Sequence, residues 1–66
     1  MSVVEFDRMG KSGNIFYIMG MAYASLLKES RRPDAEHMVT RVNHRGSYDE
    51  ALEIISEYVD LVEVEE

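Results

Sequence analysis

The alternation of apolar and polar positions divides the chain into three helical segments with short flanks. The first segment, Ile15 to Leu27, contains no charged residue in thirteen positions. At 100° per residue its principal apolar stripe consists of Ile15, Ile18, Met19, Ala22 and Leu26. A bilayer takes about 20 apolar residues to span, so this run predicts a buried helix or an oligomer interface and no membrane association.

Local signals predict the limits of the first two helices. Asn14 or Ser12 is suited to cap the N-terminus of the first helix. The sequence 31–33, Arg-Arg-Pro, predicts that this helix ends near Glu29 or Ser30. The proline then suits the first position of a second helix, because its fixed backbone angle matches the helix.

The second helix has a single apolar face. Four residues at positions i, i+3, i+4 and i+7 form it: Ala35, Met38, Val39 and Val42. Gly46 is expected to end this helix as the residue after its C-cap. The sequence 47–50, Ser-Tyr-Asp-Glu, has the pattern of a capping box and predicts the start of a third helix.

The third helix has a broad apolar face, formed by Tyr48, Ala51, Leu52, Ile55, Tyr58, Val59 and Val62. The pattern does not determine at which residue this helix ends. Residues 62–65 alternate apolar and acidic side chains, which predicts either a short strand beside the β-prone segment Val3 to Phe6 or a frayed terminus.

These elements predict an all-α fold, a three-helix domain spanning residues 1–66 as a single domain. An α+β variant, in which short N- and C-terminal strands pair, is the alternative. The expected core consists of Phe16, Met19, Ala22, Tyr23, Leu26, Met38, Val39, Val42, Leu52, Ile55, Tyr58 and Val59.

Length and composition favour self-association. A chain of 66 residues buries only about 60% of its unfolded surface and is marginally stable alone. It has no cysteine, so disulfides and thiolate metal sites are excluded. Oligomerisation is the usual remaining support for so small a scaffold, and we expect a homodimer or a larger homo-oligomer.

The charge is unevenly distributed along the chain. The net charge is −6, yet residues 1–45 hold seven basic and five acidic side chains, whereas residues 46–66 hold eight acidic side chains and no basic one. The negative total disfavours direct binding to nucleic acid phosphates. A local basic patch from Lys28, Arg31, Arg32, Arg41 and Arg45 is the alternative.

The sequence predicts neither secretion nor catalysis. The first ten residues have no basic or strongly apolar stretch, so no secretory signal is predicted and a cytoplasmic location is expected. No side chain has a visible activating partner, so we expect no enzyme activity. His37 and His44 are about 10 Å apart along one helix and cannot share a metal without further ligands, so neither a metal nor a cofactor is expected.

Residues 10–12, Gly-Lys-Ser, follow a β-prone segment and precede a helix, as in a phosphate-binding loop. The spacing does not match, because that loop would need glycine where Glu5 stands. A weaker anion site remains at the helix N-terminus, formed by Arg8, Lys11 and the backbone N–H groups near Gly13. In a separate hypothesis, an oligomer brings Arg8, Lys11, Arg31 and Arg32 from different subunits around a nucleotide or another anion. An ordinary loop is the plain alternative.

Gly20 and Ala24 form a small-x-x-x-small pair in the uncharged helix. Glycine costs about 1 kcal/mol of helix stability relative to alanine, and close approach of another helix is a reason for its presence. Gly20 is therefore expected to mark a helix crossing, either within the chain or between subunits. With Tyr17 and Met21, the pair predicts an oligomer interface, and Gly20→Leu is expected to dissociate or unfold the protein. A neutral glycine in a well-packed helix is the alternative.

The third helix also has an acidic face, formed by Asp49, Glu50, Glu53, Glu57 and Asp60. Like charges three or four residues apart destabilise an isolated helix by a few tenths of a kcal/mol each. Solvation and pairing with Arg31, Arg41 or Arg45 would offset this cost. Alternatively, the carboxylates imitate a phosphate backbone and bind a basic, nucleic-acid-handling protein.

Several short elements resemble those of small uncharacterised proteins encoded by tailed phages and prophages. The elements are Gly13-Asn14, Phe16 and Met19-Gly20, then Gly46-Ser47-Tyr48-Asp49 leading into Leu52, and the closing Tyr58-Val59. This chain differs in its acidic ending and its Arg-Arg-Pro break. The resemblance implies an accessory protein that acts in the cytoplasm of a host cell on a host protein partner, and it implies no catalytic residue.

The combined expectation is a non-enzymatic protein-binding module that binds or inhibits a host or defence factor through its acidic helix face. Two alternatives remain at this point. One is an oligomer that binds a nucleotide or another small anion, and the other is a structural phage component.

Overall fold

The computed structural model describes residues 2–65. Its elements are strand β1 (Val3–Phe6), a 3-10 turn (Lys11–Gly13), helices α1 (Ile15–Lys28), α2 (Arg32–Asn43) and α3 (Tyr48–Ser56), and strand β2 (Asp60–Glu63). The prediction of a three-helix domain is confirmed, in the variant in which the two terminal segments pair as strands.

The two strands are parallel and form a two-stranded sheet. The register places Val3 beside Asp60 and Phe6 beside Glu63. Val4 and Phe6 point into the core, with exposed fractions of 3% and 4%. Parallel strands need a long crossover between them, and the three helices supply it.

Helix α1 begins and ends with side-chain and backbone caps. The Asn14 side chain accepts hydrogen bonds from the backbone N–H groups of Phe16 (2.8 Å) and Tyr17 (3.3 Å), as the sequence predicts. At the other end, Ser30 has a φ of 59°. The N–H of Ser30 and that of the next residue donate back to the carbonyls of Leu27 and Leu26, which satisfies the last turn as in a Schellman motif.

Helix α3 begins at the predicted capping box, but α2 does not end at a C′ glycine as expected. The Ser47 hydroxyl accepts from the N–H of Glu50 (3.1 Å), and the Glu50 carboxylate accepts from the N–H of Gly46 (3.0 Å). No glycine among residues 2–65 has a positive φ, and α2 is closed by His44. Gly46 therefore belongs to the start of α3 rather than to the end of α2.

The structure also corrects the length of α3. Its last residue is Ser56, and the broad apolar face does not continue as helix to Val62. The backbone of residues 60–63 pairs with β1 instead. This pairing gives both segments their hydrogen bonds, and the β-branched residues in β1 and β2 favour it.

The core lies between the inner face of the sheet and the facing sides of the three helices. Its residues are Val4, Phe6, Ile15, Ile18, Ala22, Leu26, Ala35, Met38, Val42, Ala51, Leu52, Ile54, Ile55 and Val59. Of the expected core residues, Met19, Tyr23, Val39 and Tyr58 are only partly buried. Phe16 was predicted to be buried and is 60% exposed, because Ile15 and Ile18 occupy the inner side of α1.

Candidate functional site

The outer side of α1 is an uncharged surface that the rest of the chain does not cover. Five exposed residues form it, and we call them the neutral strip: Phe16, Tyr17, Gly20, Met21 and Ala24. The three large side chains are 60%, 49% and 45% exposed. A contiguous group of exposed aromatic and apolar side chains on a small protein is typical of an interaction surface.

The neutral strip has one cation near each end. Lys28 is exposed in the last turn of α1. At the other end, the guanidinium of Arg45 lies 5.5 Å from the centre of the Phe16 ring. Within residues 2–65, neither cation has a carboxylate oxygen within ion-pair distance, and Arg45 donates only to the carbonyl of Val42 (3.0 Å).

Gly20 lies at the middle of the neutral strip. A Cβ atom built on Gly20 has no atom of the neighbouring structure within 4 Å. Gly20 therefore does not mark a helix crossing within the chain, which was one of the two expectations. The other expectation, a crossing between two subunits, stays a prediction.

The acidic side of α3 differs because its carboxylates contact groups of the same chain. Glu57 forms two hydrogen bonds with the guanidinium of Arg41, at 2.7 and 3.0 Å. Arg41 also donates to the Tyr58 hydroxyl (3.1 Å). The hydrogen bond from Arg41 lowers the pKa of Glu57, which is the direction expected for a carboxylate held by a cation.

Asp49 is paired at the other end of α3. Its carboxylate accepts from Arg8 at 2.9 Å, and Arg8 lies 3.4 Å from Glu63 in β2. The hydrogen bond to Asp49 raises the pKa of Arg8. Because Arg8 also lies 5.3 Å from the centre of the Tyr48 ring, it connects the loop after β1 with the start of α3.

The remaining predicted acidic residues lie in different settings. Glu50 caps its own helix, as described above. Glu53 is exposed, and within residues 2–65 it has no ion-pair partner. Asp60 is in β2 rather than in α3, and its backbone N–H donates to the carbonyl of Ser2 (2.9 Å). The expected helical repulsion between Glu57 and Asp60 is therefore absent.

Three of the four residues proposed for an anion site pair with different carboxylates of the same chain. Arg8 pairs with carboxylates at the start of α3 and in β2. Arg31 lies in the turn before α2, where it contacts Asp34 at 3.0 Å and the carbonyl of Tyr58 at 3.3 Å. Arg32 is 3.8 Å from Glu36. Lys11 is exposed in the 3-10 turn, and residues 2–65 give it no ion pair.

No pocket opens on the surface formed by residues 2–65. In the same part of the chain, no three His, Cys, Asp or Glu side chains are grouped as metal ligands. His37 packs edge-on against Tyr58, and the His44 ring is 2.8 Å from the carbonyl of Thr40.

No helix in the described residues combines the length and the apolar character needed to cross a membrane.

Sequence reasoning placed Tyr17, Gly20, Met21 and Ala24 together, and the structure has all four exposed on one side of α1. It missed Phe16 as a surface residue and Arg45 as its neighbour. The four buried residues of α1 all belong to its principal apolar stripe, which excludes Phe16, but the sequence alone did not show that this stripe faces the core.

Comparison of the chain with protein-family models, with curated proteins and with solved structures gave no significant match.

Proposed function

We propose that this protein is a non-enzymatic protein-binding module whose contact surface is the neutral strip of α1. The observation that supports the proposal is the exposure of Phe16, Tyr17 and Met21 on one helix side. Aromatic and methionine side chains are enriched at protein interfaces, where each buries a large apolar area.

The acidic side of α3 was the leading candidate from sequence and is the second candidate here. Two of its carboxylates, Asp49 and Glu57, are already bound by arginines of the same chain. A basic partner would have to compete with these arginines, which reduces the gain from binding there. Glu53, which is exposed and has no ion pair within residues 2–65, is the residue that favours this candidate.

The resemblance to small phage and prophage proteins supports a proposal about where the partner comes from. We propose that the partner is a protein of the host cell, and that the module acts on it as an accessory factor or inhibitor in the cytoplasm.

Site-specific photo-crosslinking in the cell that expresses the chain tests the proposal. A benzoylphenylalanine replaces Tyr17 in one variant and Glu53 in a matched variant, since both positions are exposed on a helix. We expect discrete protein adducts from position 17 and none from position 53. Adducts from position 53 alone would move the contact surface to α3, and no adduct from either position would refute the proposal.

A further inference from the structure

We propose that the free edge of strand β2 binds an extended, basic segment of another protein as a third strand of the sheet. The proposal goes beyond the neutral strip, because it concerns a different element and a different kind of contact. Two observations support it, namely the outward-facing backbone groups of β2 and the charge of the side chains around them.

Every second backbone N–H and C=O group of β2 points away from β1. The N–H groups of Asp60 and Val64 donate to carbonyls at the start and the end of the β1 segment, at 2.9 and 2.8 Å. Because these directions alternate along a strand, the groups of Leu61 and Glu63 point to the other side. Within residues 2–65, no backbone carbonyl outside the sheet accepts from either N–H. These groups form an open edge of the kind to which a further strand pairs.

The sheet is also small for a parallel sheet. Parallel strands usually belong to larger sheets with both faces covered, and about three strands are needed for an independently stable sheet. Here the helices cover the inner face, whereas Val3 and Val62 are 57% and 41% exposed on the other. A third strand beside β2 extends the backbone ladder and places one of its own side chains against Val62.

The side chains of the sheet indicate the charge of the added strand. Strand β1 and residues 60–65 contain four acidic side chains and no basic one: Glu5, Asp60, Glu63 and Glu65. Among residues 2–65, the one cation within ion-pair distance of these four is Arg8, which Glu63 shares with Asp49. Charged side chains protect an edge strand against pairing with its own copies. The same negative charges attract a strand that carries lysine or arginine.

The order of side chains in β2 defines the complementary strand. Residues 60–63 are acidic, apolar, apolar and acidic in turn. Directly opposite residues contact each other across a ladder, so basic side chains are favoured opposite Asp60 and Glu63, and apolar ones opposite Leu61 and Val62. The complementary pattern, basic-apolar-apolar-basic, is the same in both directions and therefore suits a parallel or an antiparallel strand.

An NMR titration of the isotope-labelled full chain tests the proposal. The probe is an end-capped peptide with the core Lys-Val-Val-Lys between threonine flanks. One control peptide has glutamates in place of the lysines. A second has prolines in place of the valines, which keeps the charge but removes backbone donors and the extended pairing. Backbone amide shifts locate the contact and give the dissociation constant.

Two pairs of variants separate the backbone contact from the charge. Glu63→Pro and Glu63→Gln both remove the carboxylate, but only proline removes the outward N–H as well. Proline is tolerated on an edge strand where its N–H does not belong to the existing ladder. Asp60→Lys reverses an exposed charge at the edge, and Glu36→Lys makes the same change on α2, where Glu36 lies 3.8 Å from Arg32. Circular dichroism of each variant confirms that it is folded.

We expect the lysine peptide to shift the amides of Leu61 and Glu63 saturably and to leave that of Tyr17 unchanged. The glutamate and proline peptides should not bind. Glu63→Pro should weaken binding about three- to tenfold more than Glu63→Gln, which is the effect of one hydrogen bond. Asp60→Lys should weaken it about two- to tenfold, whereas Glu36→Lys should change it by less than about twofold.

The proposal is overturned if the lysine peptide at millimolar concentration leaves the β2 amides unchanged. It is also overturned if the proline peptide binds as tightly, because the contact is then ionic and not a strand pairing. Shifts at Leu61 and Glu63 that follow the concentration of the chain alone would show that a second copy occupies the edge, which contradicts the proposed partner. None of these results changes the status of the neutral strip, which the crosslinking experiment tests separately.

Discussion

The outer sides of α1 and α3 are both exposed, but they differ in charge and in how far their side chains are already bound within the chain. On α3 the outer side is rich in charge, and two of its carboxylates are hydrogen-bonded to Arg8 and Arg41 of the same chain. On α1 the outer side has no charge between its N-cap and Lys28, and Phe16, Tyr17 and Met21 face solvent.

The comparison shows that a conspicuous charge pattern does not identify the surface available for binding. Carboxylates that already accept hydrogen bonds from arginines gain little from a new cation, because the old contact must be broken first. Exposed aromatic and apolar side chains break no ion pair when they are covered, and they gain the free energy of burial. The α1 surface is therefore the better candidate despite its lack of charge.

The largest expected effect separates the two sides of α1. Ile18 is fully buried, whereas Met21 is 45% exposed. Ile18→Ala should lower the free energy of unfolding by about 2–4 kcal/mol, because it leaves a cavity in a small core. Met21→Ala should change it by less than about 0.5 kcal/mol. Urea denaturation of both variants at low concentration measures the difference, and equal losses would show that the outer side of α1 is packed.

A smaller effect is expected at the contact between α1 and α3. The Tyr48 hydroxyl donates a hydrogen bond to the carbonyl of Gly13, just before α1. Tyr48→Phe removes the donor and should cost about 1 kcal/mol of unfolding free energy. Tyr17→Phe is the matched control, since Tyr17 is exposed on the neutral strip. A loss at Tyr17 as large as that at Tyr48 would contradict the assignment of the two tyrosines.

Gly20→Ala should move folding and association in opposite directions. Open space around Gly20 accommodates a methyl group, and alanine is favoured over glycine in a helix, so the monomer should gain about 0.5–1 kcal/mol. The added methyl group separates the helices of a dimer that crosses there, so its dissociation constant should rise. Thermal unfolding measures the stability of the monomer, and sedimentation measures the dissociation constant. A destabilised monomer would show that the space around Gly20 is not open.

The open environment also changes the expectation for Gly20→Leu. A larger side chain at this position points into solvent in the single chain, so it should dissociate the dimer without unfolding the protein. A Gly20→Leu variant that is unfolded at low concentration would show that position 20 is packed within the single chain.

The smallest effect is expected on α3 and depends on pH. The pKa of Glu57 is lowered from an ordinary value of 4.5 by the hydrogen bond from Arg41. A lowered pKa in the folded state contributes stability above the ordinary value, and this contribution is lost as the pH falls through the folded pKa. Glu57→Gln should therefore reduce stability at pH 7, and by progressively less as the pH falls below 4.5.

Glu53→Gln is the control for this titration, because Glu53 has no ion pair within residues 2–65. The difference in urea midpoint between wild type and Glu57→Gln should shrink as the pH falls below 4.5, whereas wild type and Glu53→Gln should have the same midpoint throughout. Identical behaviour of the two variants would show that the Arg41 contact does not persist in solution.

Local signals along the chain predicted much of the fold. Asn14 caps α1, the 47–50 segment opens α3, and α2 buries Ala35, Met38 and Val42 as its spacing indicates. Each of these features depends on residues within one or two turns of each other. Their outcome is therefore determined by local hydrogen bonding and by the period of the helix.

Features that depend on distant segments were harder to predict. The length of α3 is limited by the pairing of β2 with β1, which lies about sixty residues away in sequence. Phe16 is apolar, and the sequence alone does not show whether it lies on the buried or on the exposed side of α1. The pairing of Asp49 with Arg8 joins segments 41 residues apart. The sequence alone therefore does not show that carboxylates of α3 are already paired with arginines.

The most direct test of the claim that α1, and not α3, carries the contact surface is to follow backbone amide NMR shifts as the protein is diluted from millimolar to low micromolar concentration. We expect concentration-dependent shifts at Tyr17, Gly20 and Ala24, and constant shifts at Glu53 and Glu57. Shifts confined to α3 would contradict the claim and make the acidic side the contact surface.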